Sequence, residues 1–142
     1  MQYDYFVASR WRNKDEVLDL AGKIREKGKT VYTFIEGDGE TYQLKDKEGK
    51  MHPEEFMKHF ENLDWKSDTA IGEVFEVDMN ALRKSAQVIL LLPAGKSAHI
   101  EIGIAYGLGK KCILIGEQKE AESLYLIFDN TYPTIDDFLA SL

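Results

Sequence analysis

Short apolar runs alternate along the chain with longer stretches in which apolar residues recur every three to four positions. YFVAS (5–9) predicts a strand, and Asn13 to Lys27 predicts a helix with Val17, Leu20, Ala21 and Ile24 on one face. Asn13 followed by Glu16 has the form of a capping box, and Gly28 supplies a stop. TVYTFI (30–35) is a second strand. Farther on, VILLLP (88–93) predicts a strand buried on both faces, followed by a helix from Ser97 to Gly109 and another β run at CILIGE (112–117). Ala121, Leu124, Tyr125 and Phe128 follow helical spacing, a small strand is expected near Asn130 to Tyr132, and Thr134 caps TIDDFLASL, whose aspartates suit a first helical turn.

The middle of the chain breaks this rhythm. Residues 36–52, EGDGETYQLKDKEGKMH, mix charges with glycines and have no period, which reads as a mobile flap or equally as a solvated insertion without a role. Pro53 to Asn62 predicts a short helix with proline in its first turn, and Ser67 to Ser85 a longer one with Ile71, Val74, Phe75, Met79 and Leu82 inward. Strands alternating with helices argue for one α/β domain over residues 1–142, a parallel sheet with helices on both faces and right-handed crossovers. In such sheets ligands sit beyond the carboxyl ends of the strands, which selects ASRWRN after the first strand and PAGKSAHIE after VILLLP.

Composition narrows the partners. A chain of 142 residues, 44% hydrophobic and 30% charged, can bury one ordinary core, and a net charge of -7 without a basic stripe disfavours a nucleic-acid partner. The longest apolar run is far shorter than the roughly 20 residues a membrane span requires. The amino-terminal MQYDYFVAS has neither a basic nor a long apolar segment, so a cytoplasmic location is expected. The lone Cys112 reads as a small buried hydrophobe, and His52, His59 and His99 are too scattered to predict a metal site.

Candidate chemistry lies at the two selected strand ends. Gly95, Lys96 and Ser97 combine free backbone N–H groups, a positive helix end and a cation, which suits a phosphate, although Ser97 could equally be only a cap. The pattern is not a P-loop, because the position five before Gly95 is Leu90. Ser9, Arg10, Trp11 and Arg12 offer two guanidinium groups and an indole that could clamp phosphate or stack on a nucleobase, or simply form an exposed turn. Glu101 is expected in the first turn of the following helix, where the dipole stabilises a carboxylate by about 0.3–1 kcal/mol. Its neighbours Ile100 and Ile102 imply partial burial, which is costly for an ionised group and tolerated at functional sites. Asp78, with Glu73 and Glu76 nearby on the preceding helix, could supply the second carboxyl of a glycosidase-like pair, although helix acids are often just solvated.

VILLLPAGKSAHIEIGIAYGLGKK resembles the signature of the nucleoside 2-deoxyribosyltransferase family, which includes the 2′-deoxynucleoside 5′-phosphate N-hydrolases; the similarity is most specific over residues 78–115. The resemblance implies a flavodoxin-like, Rossmann-like sheet of about five strands, an N-glycosidic bond as target, Glu101 as nucleophile, and the aspartate of DMNAL, Asp78, as the group that assists the departing base. Two departures stand out. Gln87 occupies the place before the central strand where the family often has Asp, and the spacing from Asp78 is one residue longer than usual, which keeps Glu76 as a rival. The turn Ala94 to Ser97 lacks the acidic residue of transferases acting on free nucleosides, which implies a nucleoside 5′-monophosphate held by Gly95, Lys96, Ser97 and Arg10 or Arg12, with Trp11 or Tyr42 over the base. The resemblance also implies a homodimer or larger homo-oligomer, with residues around Ser123 to Asn130 contributing to a neighbour's site; no cofactor is expected. Base exchange instead of hydrolysis, and a non-catalytic nucleotide-binding or NAD-cleaving module of the Toll/interleukin-receptor-like kind, are the alternatives.

Overall fold

The computed structural model describes residues 1–37 and 64–142. The helix expected over 53–62, and all but the first two residues of segment 36–52, lie outside them. In chain order the elements are β1 (Tyr3–Ala8), a 3-10 turn (Trp11–Asn13), α1 (Lys14–Glu26), β2 (Val31–Thr33), α2 (Thr69–Arg83), β3 (Ser85–Leu91), α3 (Lys96–Gly107), β4 (Lys111–Ile115), a 3-10 turn (Ser123–Ile127), β5 (Asn130–Tyr132) and α4 (Ile135–Ala140). All strand pairs are parallel, and the sheet order is β2-β1-β3-β4-β5. That order is the flavodoxin-like one, with its reversal between β1 and β3.

Alternation along the strands divides the core into two layers. Phe6, Ala8, Tyr32, Val88, Leu90 and Cys112 face α2 and α3, where they meet Val77, Leu82, Ala98 and Ile102. Tyr5, Val7, Val31, Ile89, Leu91 and Ile113 face the other way, against Val17, Leu20, Ala21 and Ile24 of α1 and Phe138 of α4. The expected inner face of α1 is therefore the observed one. Cys112 is fully buried, and its thiol is pushed up to about 11 by burial and then by the Asp129 carboxylate. Among the described residues no helix is long and apolar enough to cross a membrane.

Several local expectations need correction. Asn13 precedes α1 but makes no side-chain cap; its amide donates to Ser9 Oγ instead, at 3.1 Å, so the capping box does not form. In α2 the buried positions begin at Val77; Val74 is partly buried against the core, and Phe75, expected inward, is 56% exposed. The segment expected as a short helix around 121–128 is a 3-10 turn. β3 begins at Ser85, so Gln87 lies inside the strand opposite Tyr5. Thr134 does cap α4, accepting from the Asp137 N–H at 3.1 Å.

Candidate active site

The carboxyl ends of β1 and β3 are fastened to each other. Ser9, which follows β1, is buried, and its hydroxyl donates to the Leu91 carbonyl at 2.8 Å and lies 3.3 Å from the Pro93 carbonyl. The hydroxyl of this sequence-predicted binding residue is thus engaged in joining the two loops. Arg10 and Arg12 are exposed, and Trp11 packs edge-on against Phe34 with ring centroids 5.3 Å apart. A Cβ placed on Gly95 would lie 3.9 Å from the Arg10 Cβ, so the first loop borders the turn that opens α3.

Gly95, in extended conformation, is the N-cap of α3, and no side chain caps this end. Ser97 is thus inside the helix and is not its cap. Lys96 and Ser97 are exposed beside the uncapped N–H groups. These residues together form an exposed cradle with a helix end, a lysine and an arginine, the features that suit an anion. Tyr42 lies outside the described residues.

Glu101 lies more than a turn into α3, too deep for the dipole to dominate, since that effect fades within the first turn. Its carboxyl is pushed up to about 8 by burial and then by the negative charge of Asp78. Asp78, between buried Val77 and Met79 on α2, is pushed up to about 6 by burial, with a hydrogen bond from Tyr32 acting in the opposite direction. Both residues keep some accessible surface, but their carboxyl groups are largely surrounded by protein. Among the described residues neither has a cation partner. Glu73 and Glu76 are exposed, and Asp78 is the carboxylate whose charge acts on Glu101. Both carboxyls are thus held above the ordinary carboxylate range, Glu101 more than Asp78.

Two contributors have no motif in the sequence. Tyr32 on β2 donates its hydroxyl to Asp78 Oδ1 at 2.7 Å. His99 Nδ1 is 2.8 Å from the Gly95 carbonyl, and its Nε2 is 2.7 Å from the Tyr125 hydroxyl, which also accepts from Gln118 Nε2 at 2.7 Å. A carbonyl can only accept, so Nδ1 carries a proton, and Nε2 shares a hydrogen bond with the Tyr125 hydroxyl. This chain of polar contacts holds the first turn of α3 against the segment after β4. Only the inward position of Tyr32 in the strand pattern, among apolar neighbours, could have singled it out.

A cavity of about 440 Å³ opens at the same edge of the sheet but on the α1 and α4 side, lined by Asn13, Glu16, Lys23, Pro93, Gly116 and Asp136 among others. Neither Glu101 nor Asp78 reaches it. Among the described residues no group of three or more His, Cys, Asp or Glu is placed to hold a metal.

No protein-family model matches the chain, and no curated protein does. Solved structures do. A 2-deoxyribosyltransferase from the psychrotolerant bacterium Bacillus psychrosaccharolyticus superposes with a TM-score of 0.65 at 15% identity, covering 95% of this chain and 89% of that one. The CMP N-glycosidase BcmB of Clostridium botulinum superposes with a TM-score of 0.53 at 21% identity, covering 96% of each chain. The likeness is one of fold. The chain therefore shares the overall fold of these two proteins.

Proposed function

We propose that the protein cleaves the N-glycosidic bond of a (deoxy)nucleoside 5′-monophosphate, with Glu101 as nucleophile and Asp78 as acid and then base. The observation that carries this reading is the pair of largely buried carboxyls on α2 and α3, the charge of one raising the other and neither having a cation partner among the described residues, in a fold shared with a deoxyribosyltransferase and a CMP N-glycosidase. Burying two acids is costly, and such costs are tolerated where the groups do chemistry.

A retaining cycle needs one ionised and one protonated carboxyl, and between about pH 6 and about pH 8 the pair holds that single proton. Without substrate the proton rests on Glu101. Positive charge developing at C1′ favours an ionised Glu101 and moves the proton to Asp78. The Glu101 oxygen then bonds to C1′ as the bond to the base breaks. The bonding pair leaves with the base, which takes the proton from Asp78. Asp78, now a carboxylate, removes a proton from water, whose oxygen attacks C1′ and releases the sugar phosphate together with ionised Glu101. Gly95, Lys96 and Ser97 with Arg10 or Arg12 hold the 5′-phosphate, and Trp11 or Tyr42 covers the base. No cofactor enters any step.

Incubation with the common nucleosides and their monophosphates, with free base read by chromatography, tests the proposal; Glu101→Ala releasing base as fast as the unaltered protein overturns it. The likeness to a deoxyribosyltransferase supports one second reading, in which an added base replaces water as acceptor, and product analysis with that base present separates the two. A homo-oligomer belongs to the same reading. Leu124 and Leu126, 69% and 88% exposed, are apolar surface suited to a neighbouring copy. A free mononucleotide substrate also fits the cytoplasmic location expected from the sequence.

A further inference from the structure

The Tyr32 ring has little freedom. It is 1% exposed, stacked on Phe6 at 5.2 Å and 21°, and tilted against Tyr3 at 5.5 Å. Its hydroxyl therefore points in one direction, and in that direction lies Asp78 Oδ1, 2.7 Å away. An oxygen that accepts from a phenol at this distance is in the wrong state to carry the acidic proton itself, whereas a carboxylic acid protonated on its other oxygen keeps the hydrogen bond intact. Among the described residues, Asp78 Oδ2 has no hydrogen-bond partner. The titratable groups bearing on Asp78 are Tyr32 from β2 and Glu101 from α3.

We infer that Tyr32 is a positioning residue: its hydroxyl fixes the Asp78 carboxyl through Oδ1 and confines the transferable proton to Oδ2, the oxygen left to serve the reacting groups. The inference rests on the role of Asp78 given above. A strand residue thereby orients a helix residue, and the whole device is assembled across the β2–α2 contact without any contact between Tyr32 and substrate. Because a hydrogen bond to the ionised form favours that form, Tyr32 also keeps the proton of the pair on Glu101 until substrate arrives.

Tyr32→Phe keeps the stacked ring and removes only the donor. With the nucleotide that wild type turns over best, kcat is expected to fall about tenfold while KM stays within about twofold, as for a group that acts on the reaction and not on binding. Carbon-13 NMR titration of the Asp78 carboxyl in the ligand-free protein is expected to move up by about one pH unit. A variant with KM raised, kcat unchanged and the Asp78 titration unmoved overturns the inference. Wild type that releases no base from any nucleotide, together with a shifted titration, sinks the proposed reaction and leaves the fixing of the carboxyl standing. If the phenylalanine variant does not fold, 3-fluorotyrosine in place of Tyr32 keeps the ring and strengthens the donor; the Asp78 titration then moves down, and an unmoved one overturns the inference.

Discussion

Two adjacent residues of β2 each serve a carboxylate, one on each side of the sheet. Thr33 donates to Glu36 Oε1 at 2.8 Å, and Tyr32 donates to Asp78 Oδ1 at 2.7 Å. The hydrogen bonds are alike, yet the two carboxyls differ. Burial alone would push Glu36 up, but hydrogen bonds from Arg25 and Thr33 and the charge of Arg25 bring it below the usual range. The Arg25 guanidinium grips both oxygens, at 2.9 Å and 3.1 Å. Among the described residues Asp78 has no such cation, and burial wins. One neutral donor does not offset the desolvation of Asp78, whereas a bidentate guanidinium more than offsets the smaller desolvation of Glu36, whose side chain stays 39% exposed. Glu36 thus belongs to the framework, whereas Asp78 and Glu101 are buried as carboxyls at a cost to stability.

The sharpest way to break this contrast is to remove the unpaired side. Glu101→Ala should lower base release by at least about a thousandfold and Asp78→Asn by about a hundredfold or more, both read at saturating nucleotide, while Glu36→Gln leaves turnover within about twofold. Stability should respond with opposite signs. Glu101 ionises at about 8 in the fold against an ordinary 4.5, so its contribution is fully present below pH 4.5 and is lost as pH rises through about 8. Glu101→Gln should consequently raise Tm by several degrees at about pH 9, on the order of 5 kcal/mol at most, with the gap closing toward about pH 5. Glu36, held below its ordinary value, contributes stability above 4.5 that is lost as pH falls, so Glu36→Gln should destabilise at neutral pH and not in acid.

The pH profile of kcat/KM provides a finer test. It should be a bell with limbs near 6 and 8, set by the shared proton, and Glu36→Gln should leave both limbs in place. The smallest expected effect lies at the exposed cradle. Lys96→Ala should raise KM for a monophosphate about tenfold and leave the corresponding nucleoside unaffected, because an exposed lysine contributes a modest, salt-screened charge contact.

Much of this was legible in the residues. The inner face of α1, the doubly buried β3 and the helix after it follow from period alone, since burial of Val17, Leu20, Ala21 and Ile24, and of Val88 to Leu91, needs only a sheet to pack on. Position after the central strand drew attention to Glu101, but only the family resemblance paired it with Asp78, whose charge acts on it in the structure. Periodicity names the face of a helix but not how deeply each position on it is covered, and Phe75 is exposed. Asn13 was read as a local cap, yet Ser9, four residues earlier, became its partner because the loop needed its ends joined. Tyr32 and the His99–Tyr125–Gln118 chain were not visible, because each joins residues whose proximity exists only after the sheet has formed. Spacing along the chain holds no record of contacts 46 residues apart, such as Tyr32 with Asp78.

The isolation of Cys112 gives the protein a built-in reporter. It is the sole thiol of the chain, fully enclosed behind α3, and its proton is held tightly. Alkylating reagents attack only the thiolate, so the native protein should be nearly inert toward them, and each labelling event marks a moment when β4 has come away from α3. The rate of labelling therefore measures the opening of the layer that carries the two acids, with no probe added to the molecule.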